Sequence, residues 1–397
     1  MNFYNADFLT HHSQSIVNFY TERAVDNVLG GYYQNYLDDG TLFNTGFRQL
    51  VSSTRMVINF CRAAKQFKNN EYLNLARHGL DYIETHHWIA KTKQYAWTLD
   101  DNQPQDMTQQ AYGYAFVLLC YAHCYKSGVI SSDRKINETF ELLESRFWQA
   151  NEGIYADTMY ANGELCEYRG QNANMHICEA LISAYSATNE RRYLKRAEHL
   201  AERFCFELSA HSNGLVYEHF TPELLPDFDY NKDDAKNLYR PWGFQPGHQT
   251  EWAKLLLQIN YFEAKPQFVE KAQHLFDVAF TNAWDNTHGG LVYGFDTHYT
   301  TCDSDKYFWV QAESFAAAAL LFDATQNDAY LNHYNALWQY CWQYFVDHDH
   351  GAWYRVLKEN NQKYSDKKSE AGAKCDYHTL GACFDVLEFT KTPFPTN

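Results

Sequence analysis

The sequence is poor in proline and in basic residues. Only 8 of its 397 residues are proline and 21% are charged, whereas 45% are hydrophobic and 17% aromatic. A chain with so many rings buries enough apolar surface to offset its conformational entropy, which excludes a disordered protein. The 33 basic residues are outnumbered by 49 acidic ones, which gives a net charge of -16. This balance argues against nucleic acid as a partner.

Long hydrophobic runs are also lacking. The longest, Tyr114 to Ala122, is nine residues, far below the ~20 residues of a membrane-spanning helix, so no membrane partner is expected. The segment Met1 to Leu9 contains Asp7 and no basic region, so it gives no indication of a signal peptide. The ten cysteines form no CxxC pair, which predicts reduced core thiols in the cytoplasm rather than disulfides or a zinc site.

Several catalytic motifs are missing as well. The sequence contains no GxGxxG, no GxxxxGK[ST] and no GxSxG. Dinucleotide sites, P-loop nucleotide sites and esterase-type sites are therefore unsupported.

A glycine–aromatic signature recurs along the whole chain. Five copies combine glycine with an aromatic residue a few positions later, and a weaker copy without glycine is Tyr95-Ala96-Trp97. The copies fall near positions 30, 95, 153, 214, 289 and 351, a period of roughly 60 residues. Each copy is typical of a short hairpin in which glycine supplies a positive φ.

Between these hairpins, apolar residues at spacings of three and four predict amphipathic helices. We expect twelve helices, over 5–26, 47–67, 72–88, 107–127, 134–149, 171–188, 191–207, 246–262, 266–284, 306–325, 328–346 and 374–391. Short polar turns and hairpins alternate between them. This pattern predicts one all-α domain over residues 1–397, a closed toroid of six helical hairpins with its six longer loops at one end.

The composition of the helices predicts two concentric layers. Even-numbered helices carry small residues, such as Ala316 to Ala319, which permit close packing in an inner ring. Odd-numbered helices carry charge on one face, as Arg191 and Lys195 do, and are expected to form the outer ring.

Polar side chains occur near the N-terminal ends of the inner helices, where apolar residues are expected. They are Arg55, Asn172, Asn174, His176, Glu179, His248, Glu251, Trp309, Gln311, Glu313, Lys374 and His378. Because these helix ends lie at the same end of the ring, the side chains are expected to meet over the axis in a concave cup.

Two of these helices share a His-x-x-Glu spacing, His176 to Glu179 and His248 to Glu251, which places both side chains on one helix face. One interpretation is a metal site, since histidine and carboxylate ligate zinc, manganese and iron. The other is a histidine held in one tautomer by its carboxylate neighbour, ready for proton transfer. We favour the second and expect no metal, because four-helix di-metal sites use the reverse order, Glu-x-x-His.

Paired carboxylates offer a further alternative. Glu251 with Glu313, or Asp100 with Asp101, would suit a glycosidase on the same architecture. That interpretation leaves the histidines without a role.

Five segments together resemble the N-acylglucosamine 2-epimerase superfamily. They are Arg55, Asn172 to Glu179, Pro246 to Trp252, Trp309 to Glu313, and Lys374 to His378. The resemblance covers nearly the whole chain, and its most specific motif is Pro-Gly-His-x-x-Glu-Trp. The chain is most similar to the aldose–ketose isomerase branch. The resemblance implies an (α/α)6 barrel and a reaction through a cis-enediol, without metal or cofactor, on a monosaccharide such as mannose, with the pair D-lyxose and D-xylulose as an alternative.

The resemblance also implies roles for individual residues. His378 is expected to take the proton from C2 of the open-chain aldose and return it to C1. His248, oriented by Glu251, is expected to assist ring opening and to move protons between O1 and O2, while Arg55 polarises the sugar oxygens. The remaining expected substrate-binding or supporting residues are Asn172, His176, Glu179, Trp309, Glu313 and Trp353.

Several alternatives stay open at this point. Return of the proton to the opposite face of C2 would make the protein a 2-epimerase, and the other classes are a glycosidase and a non-catalytic sugar-binding protein. The loops 221–237 and 358–372 are expected to cover the cup. Arg240 and the loop lysines leave room for a sulfonated or acidic sugar. The sequence leaves the oligomeric state open.

Overall fold

The computed structural model describes residues 1–391 and 394. Twelve α-helices run through this part of the chain, which confirms the helices predicted from the sequence. They are α1 (Ala6–Thr21), α2 (Leu50–Phe67), α3 (Asn70–Tyr82), α4 (Ala111–Ser127), α5 (Arg134–Arg146), α6 (Gln171–Thr188), α7 (Arg191–Glu202), α8 (Pro246–Phe262), α9 (Pro266–Ala283), α10 (Phe308–Thr325), α11 (Asp328–Tyr344) and α12 (Tyr377–Phe389).

Short β-strands fill the long loops that lead from each odd helix to the next even helix. They are β1 (Tyr36–Leu37), β2 (Phe47–Gln49), β3 (Trp88–Ile89), β4 (Gln94–Tyr95), β5 (Thr98–Asp100), β6 (Gln103–Asp106), β7 (Gln109–Gln110), β8 (Trp148–Gln149), β9 (Ile154–Tyr155), β10 (Thr158–Met159), β11 (Arg169–Gly170), β12 (His219–Phe220), β13 (Gly294–Phe295), β14 (Thr301–Asp303), β15 (Lys306–Tyr307), β16 (Val356–Leu357) and β17 (Lys367–Ser369). All of their pairings are antiparallel.

The strand pairings join the six long loops in a circle. Each loop bonds to the next through β2–β5, β7–β10, β11–β12, the bridge between Phe244 and Phe295, and β15–β16. The pairing of β1 with β17 then connects the first loop to the last. The cavity described below lies inside this circle of loops.

Strands also explain why three helices begin later than predicted. The residues before Leu50, Ala111 and Phe308 pair as β2, β7 and β15, so their backbone is extended rather than helical. The side chain of Gln49 then accepts a hydrogen bond from the N–H of Ser52 and caps α2.

The helices pack as two layers. Each even helix packs against the even helices before and after it, and α12 packs against α2. Each odd helix packs on the outside of an even one. Ala316 to Ala319 of α10 are fully buried, whereas Arg191 and Lys195 of α7 are exposed. Small side chains therefore line the inner contacts and charged ones face solvent, as the sequence predicts.

Amide side chains fasten three of the hairpins to the inner helices. The fourth residue of α6, α8 and α10 bonds to both the N–H and the C=O of one hairpin residue, at 2.6–2.9 Å. The pairs are Asn174 with Tyr155, Gln249 with Val216, and Gln311 with Leu291. Asn174 and Gln311, expected from the sequence to line the cup, are therefore structural.

Two further features are the state of the cysteines and the hydrophobic length of the helices. All ten cysteines are free thiols, and eight of them are buried. Within residues 1–391 and 394, we find no helix that is both long enough and apolar enough to cross a lipid bilayer.

Candidate active site

A cavity of about 380 Å³ lies at the N-terminal ends of the even helices. Each even helix contributes a side chain from its first two turns: Arg55, Tyr112, Asn172, His248, Trp309 and His378. Of the loops expected to cover the cup, 358–372 reaches the wall at Gly372. At the second loop, 221–237, the residues that line the cavity are the four that follow it, Leu238 to Pro241.

His378 is held between a carboxylate and a guanidinium. Its Nδ1 lies 2.7 Å from Oε1 of Glu313, and its Nε2 lies 3.4 Å from Nη2 of Arg55. Because arginine only donates, Nε2 carries the lone pair and Nδ1–H donates to Glu313. Burial, together with the Arg55 guanidinium, lowers the pKa of His378 well below 6.5. His378 is therefore a neutral imidazole with its accepting nitrogen at the cavity, as a general base requires.

Arg55 is fixed by aromatic rings. Its guanidinium carbon lies 4.4 Å from the ring centre of Phe116 and 5.0 Å from that of Tyr377. Its Nη2 also donates to the hydroxyl of Tyr112 at 2.9 Å. Only 4% of Arg55 is exposed. A positive charge is thus preorganised beside His378, where it can stabilise an oxyanion.

His248 is the second histidine of the wall, and its ring is also oriented through Nδ1. Nδ1 lies 2.9 Å from Oε2 of Glu218 and 2.9 Å from Nε2 of Gln171. The Gln171 amide in turn donates to Glu218 and accepts from Trp252. The indole of Trp309 lies 4.9 Å from the His248 ring and 5.8 Å from the His378 ring. The two histidines therefore face one cavity with an indole between them.

Sequence reasoning missed Glu218. The spacing of three predicts that Glu251 orients His248, but the structure gives this hydrogen bond to Glu218, from the loop before β12. Glu251 instead turns toward His176, whose Nδ1 lies 3.8 Å from Oε1. The signal in the sequence is an acidic residue directly after the apolar stretch 215–217, and the structure buries all four residues.

His176 and Glu179 make the hydrogen bond that their spacing predicts. Nδ1 of His176 lies 2.9 Å from Oε2 of Glu179, and the Tyr377 hydroxyl donates to the other oxygen at 2.5 Å. Burial lowers the pKa of His176, although Glu179 opposes this. The His176 hydrogen bond lowers the pKa of Glu179 in spite of burial. Glu179 is thus an ionised support beneath His176, and His176 itself reaches the wall.

Three side chains of the wall have buried polar atoms without a hydrogen-bond partner within the described residues. These atoms are both carboxyl oxygens of Glu251, Oδ1 of Asn172 and Nε of Arg55. Burial, followed by the charge of Glu313, raises the pKa of Glu251 well above its ordinary value. A buried polar group without a partner is costly. Glu251 and Asn172 are therefore suited to bind hydroxyl groups of a ligand, with Glu251 able to donate.

Among residues 1–391 and 394, two sets of side chains have ligand atoms within 4.8 Å of one another, as a metal ion requires. They are His176, Glu179 and Glu251, and Glu251, Glu313 and His378. However, the ammonium of Lys254 already lies 2.5 Å from Glu313, and Arg55 lies beside His378. These cations supply the positive charge that a metal would bring, so the donor set suits hydrogen bonding better than metal binding.

Four predicted residues lie elsewhere. Trp353, expected to stack on the sugar, is fully buried in the core, where it stacks on Phe345 and its Nε1 donates to Nε2 of His12 at 2.8 Å. Asp100 and Asp101, considered as a glycosidase pair, are exposed beside β5, away from the cavity wall. Glu313 lies beneath His378 and not in the wall.

Comparisons with known proteins place the chain in a family. Residues 31–382 match the family described as N-acylglucosamine 2-epimerase (GlcNAc 2-epimerase). A protein named D-mannose isomerase from Marinomonas mediterranea is 46% identical over 383 residues, 96% of each chain. A cellobiose 2-epimerase from Dictyoglomus turgidum is 22% identical over 96% of this chain and 98% of its own.

A solved structure is also closely similar. A crystal structure of D-mannose isomerase superposes with a TM-score of 0.95 at 45% identity, covering 98% of this chain and 99% of that one.

Proposed function

This chain belongs to the N-acylglucosamine 2-epimerase family, and from that membership we propose that it is an aldose–ketose isomerase interconverting D-mannose and D-fructose. The observation that carries this proposal is the pair of histidines facing one cavity, each held through Nδ1 by a carboxylate. The choice of mannose rests on the relative that is 46% identical over 96% of both chains.

The proposed reaction begins with proton abstraction from the open-chain sugar. Nε2 of His378 removes the proton from C2, and the C–H electrons form the C1=C2 bond of a cis-enediol. The negative charge that develops on O1 is stabilised by Arg55, whose guanidinium is already in place. Preorganisation of this kind lowers the barrier because little reorganisation accompanies the reaction.

The second half of the reaction moves protons between oxygens. Nε2 of His248 accepts the proton of O2–H and then donates it to O1, with Glu218 holding the ring through Nδ1. The electrons of the O2–H bond form the C2=O carbonyl, and the electrons of the C1=C2 bond take the proton that His378 returns to C1. Glu251 and Asn172 bind the remaining hydroxyl groups, and Trp309 packs on the apolar face of the sugar.

A second candidate function is 2-epimerisation. The observation that favours it is that His248 also faces the cavity and can return a proton to the opposite face of C2. Epimerisation shares the enediol and differs only in the atom and face that receive the proton. We give precedence to the isomerase because the relative at 46% identity carries that name, whereas the cellobiose 2-epimerase is 22% identical.

We also propose the architecture and setting of this enzyme. The circle of loop pairings and the packing of α12 on α2 support a closed (α/α)6 barrel, formed as one domain over residues 1–397. Ten free thiols support a cytoplasmic location.

Product analysis tests the proposed function. Purified protein incubated with D-mannose is expected to release D-fructose. Accumulation of D-glucose before fructose would make it an epimerase, and failure to convert either D-mannose or D-lyxose would overturn the isomerase. Activity is expected to survive dialysis against EDTA; loss of turnover that Zn²⁺ or Mn²⁺ restores would contradict the metal-free mechanism.

A further inference from the structure

Lys254 is a buried lysine in the middle of an inner helix. It is 2% exposed and lies between Ala253 and Leu255 of α8, both fully buried. A buried ammonium without a partner is strongly unfavourable, so its surroundings must supply negative charge.

That negative charge comes from two carboxylates on inner helices, Glu313 of α10 and Asp385 of α12. Nζ of Lys254 lies 2.5 Å from Oε2 of Glu313 and 3.3 Å from Oδ2 of Asp385. The other oxygen of Asp385 accepts from Arg62 at 2.7 Å. A line of alternating charges therefore runs from Arg62 through Asp385, Lys254 and Glu313 to the ring of His378.

The two oxygens of Glu313 have different partners. Oε2 faces Lys254, and Oε1 accepts the Nδ1–H of His378. We propose that Lys254, held by Asp385, is a positioning residue: it keeps Glu313 an ionised acceptor, so that His378 carries its proton on Nδ1 and its lone pair on Nε2. This inference deepens the proposed function and rests on it, since it assigns His378 as the base.

Loss of the ammonium would reverse the hydrogen bond. Burial raises the pKa of Glu313, and Lys254 opposes that rise. Without Lys254, the neighbouring ionised Glu179 also favours a protonated Glu313. A protonated Glu313 donates its O–H to Nδ1, which places the histidine proton on Nε2. A ring with hydrogen on Nε2 cannot accept the C2 proton, and its N–H would point at the Arg55 guanidinium.

The kinetic test compares Lys254→Met with a matched control. Lys368 is also fully buried and paired with a carboxylate, Asp347, at 2.5 Å. We expect Lys254→Met to lower kcat about 10²-fold or more, as loss of a general base's tautomer does in other enzymes. KM should change less than about threefold, and the isotope effect with D-[2-²H]mannose should rise, because proton abstraction becomes slower than the other steps. Lys254→Arg should recover part of kcat, and Lys368→Met should change stability without changing the isotope effect.

The tautomer of His378 can be observed without turnover. In the ¹⁵N-labelled wild-type protein, the His378 side chain should show a protonated Nδ1 and an unprotonated Nε2, and in Lys254→Met the proton should move to Nε2. This spectrum separates the two proposals: a wild-type protein that converts no aldose overturns the proposed function, while the tautomer still tests Lys254.

A folded Lys254→Met variant with wild-type kcat and an unchanged His378 spectrum would overturn the inference. If this variant does not fold, Asp385→Asn takes its place, with a smaller fall in kcat and the same direction of tautomer change expected. A wild-type kcat together with a wild-type His378 spectrum in Asp385→Asn would likewise overturn the inference.

Discussion

The guanidinium of Arg55 lies 3.4 Å from Nε2 of His378, the nitrogen that faces the cavity, while Nδ1 of the same ring bonds to Glu313. A donor-only group at this position favours the tautomer with its lone pair on Nε2, which the ionised Glu313 maintains, and stands where the developing oxyanion needs it. The general base His378 and the group that stabilises the oxyanion, Arg55, are thus direct neighbours.

Substitution of Arg55 by lysine should therefore lower kcat/KM about 10²-fold, since removal of one oxyanion donor typically costs 10²–10³. Lysine keeps the charge but loses the planar group that stacks on Phe116 and Tyr377. Steady-state kinetics with D-mannose measure this effect. Arg48, equally buried and paired with Asp26 at 2.5 Å, is the matched control. Arg48→Lys should lower stability and leave kcat/KM within about threefold of wild type. Equal kinetic effects of the two variants would contradict the role of Arg55.

Glu218 and Glu251 offer a direct comparison of an orienting and a substrate-binding carboxyl group. Glu218→Gln replaces the acceptor that holds His248 and should lower kcat about 10–100-fold, in the range of general acid–base effects. Glu251→Gln should act mainly on KM and more weakly, because burial raises the pKa of Glu251 and a neutral amide resembles the neutral acid. Separate kcat and KM values for both variants decide the assignment. A larger loss of kcat in Glu251→Gln than in Glu218→Gln would show that Glu251 orients His248, as the spacing predicts.

The pH dependence of kcat/KM should reflect the depressed pKa of His378. Burial and Arg55 lower this pKa well below 6.5, and only the neutral ring accepts the C2 proton. The rate should therefore remain on its plateau as pH falls through 6.5 and decline only at lower pH, where His378 takes up a proton. Circular dichroism at each pH must show the folded protein. An acidic limb with its midpoint at or above pH 6.5 would contradict a buried neutral base.

Asn174 should affect stability rather than chemistry. Its side chain bonds to both the N–H and the C=O of Tyr155, so Asn174→Ala leaves two buried backbone groups unpaired. The expected cost is about 2 kcal/mol or more of unfolding free energy, at 1–3 kcal/mol for each group. Denaturant unfolding measures this cost, and Asn172→Ala, two residues away at the cavity, provides the contrast. Asn172→Ala should raise KM with little loss of stability, and the reverse pattern would show that the two amides are assigned wrongly.

The helices and the general location of the site were predictable because both depend on local pattern. Apolar spacing identifies the buried face of each helix, and polar side chains at the first turns of several such faces indicate a shared cavity. The strands were predicted less well, since β2 and β7 depend on partners in other loops, and they shorten the helices that follow.

Side-chain pairings between distant segments were not predictable. Glu218 meets His248 across 30 residues and Lys254 meets Glu313 across 59, and no periodic pattern carries this information. Trp353 shows the opposite problem: an aromatic residue after a glycine turn suits a sugar platform and a core equally well, and only packing against Phe345 distinguishes them.

Proton NMR of D-mannose in deuterated water, with the wild-type protein and with His378→Asn, tests the central claim most directly. The wild-type protein should produce D-fructose with deuterium at C1, because His378 exchanges its proton with solvent before returning it. His378→Asn should still bind the sugar, and its kcat should fall by at least about 10²-fold, the lower range for loss of a general base. Undiminished formation of C1-deuterated fructose by His378→Asn would show that another group removes the C2 proton and would contradict the mechanism.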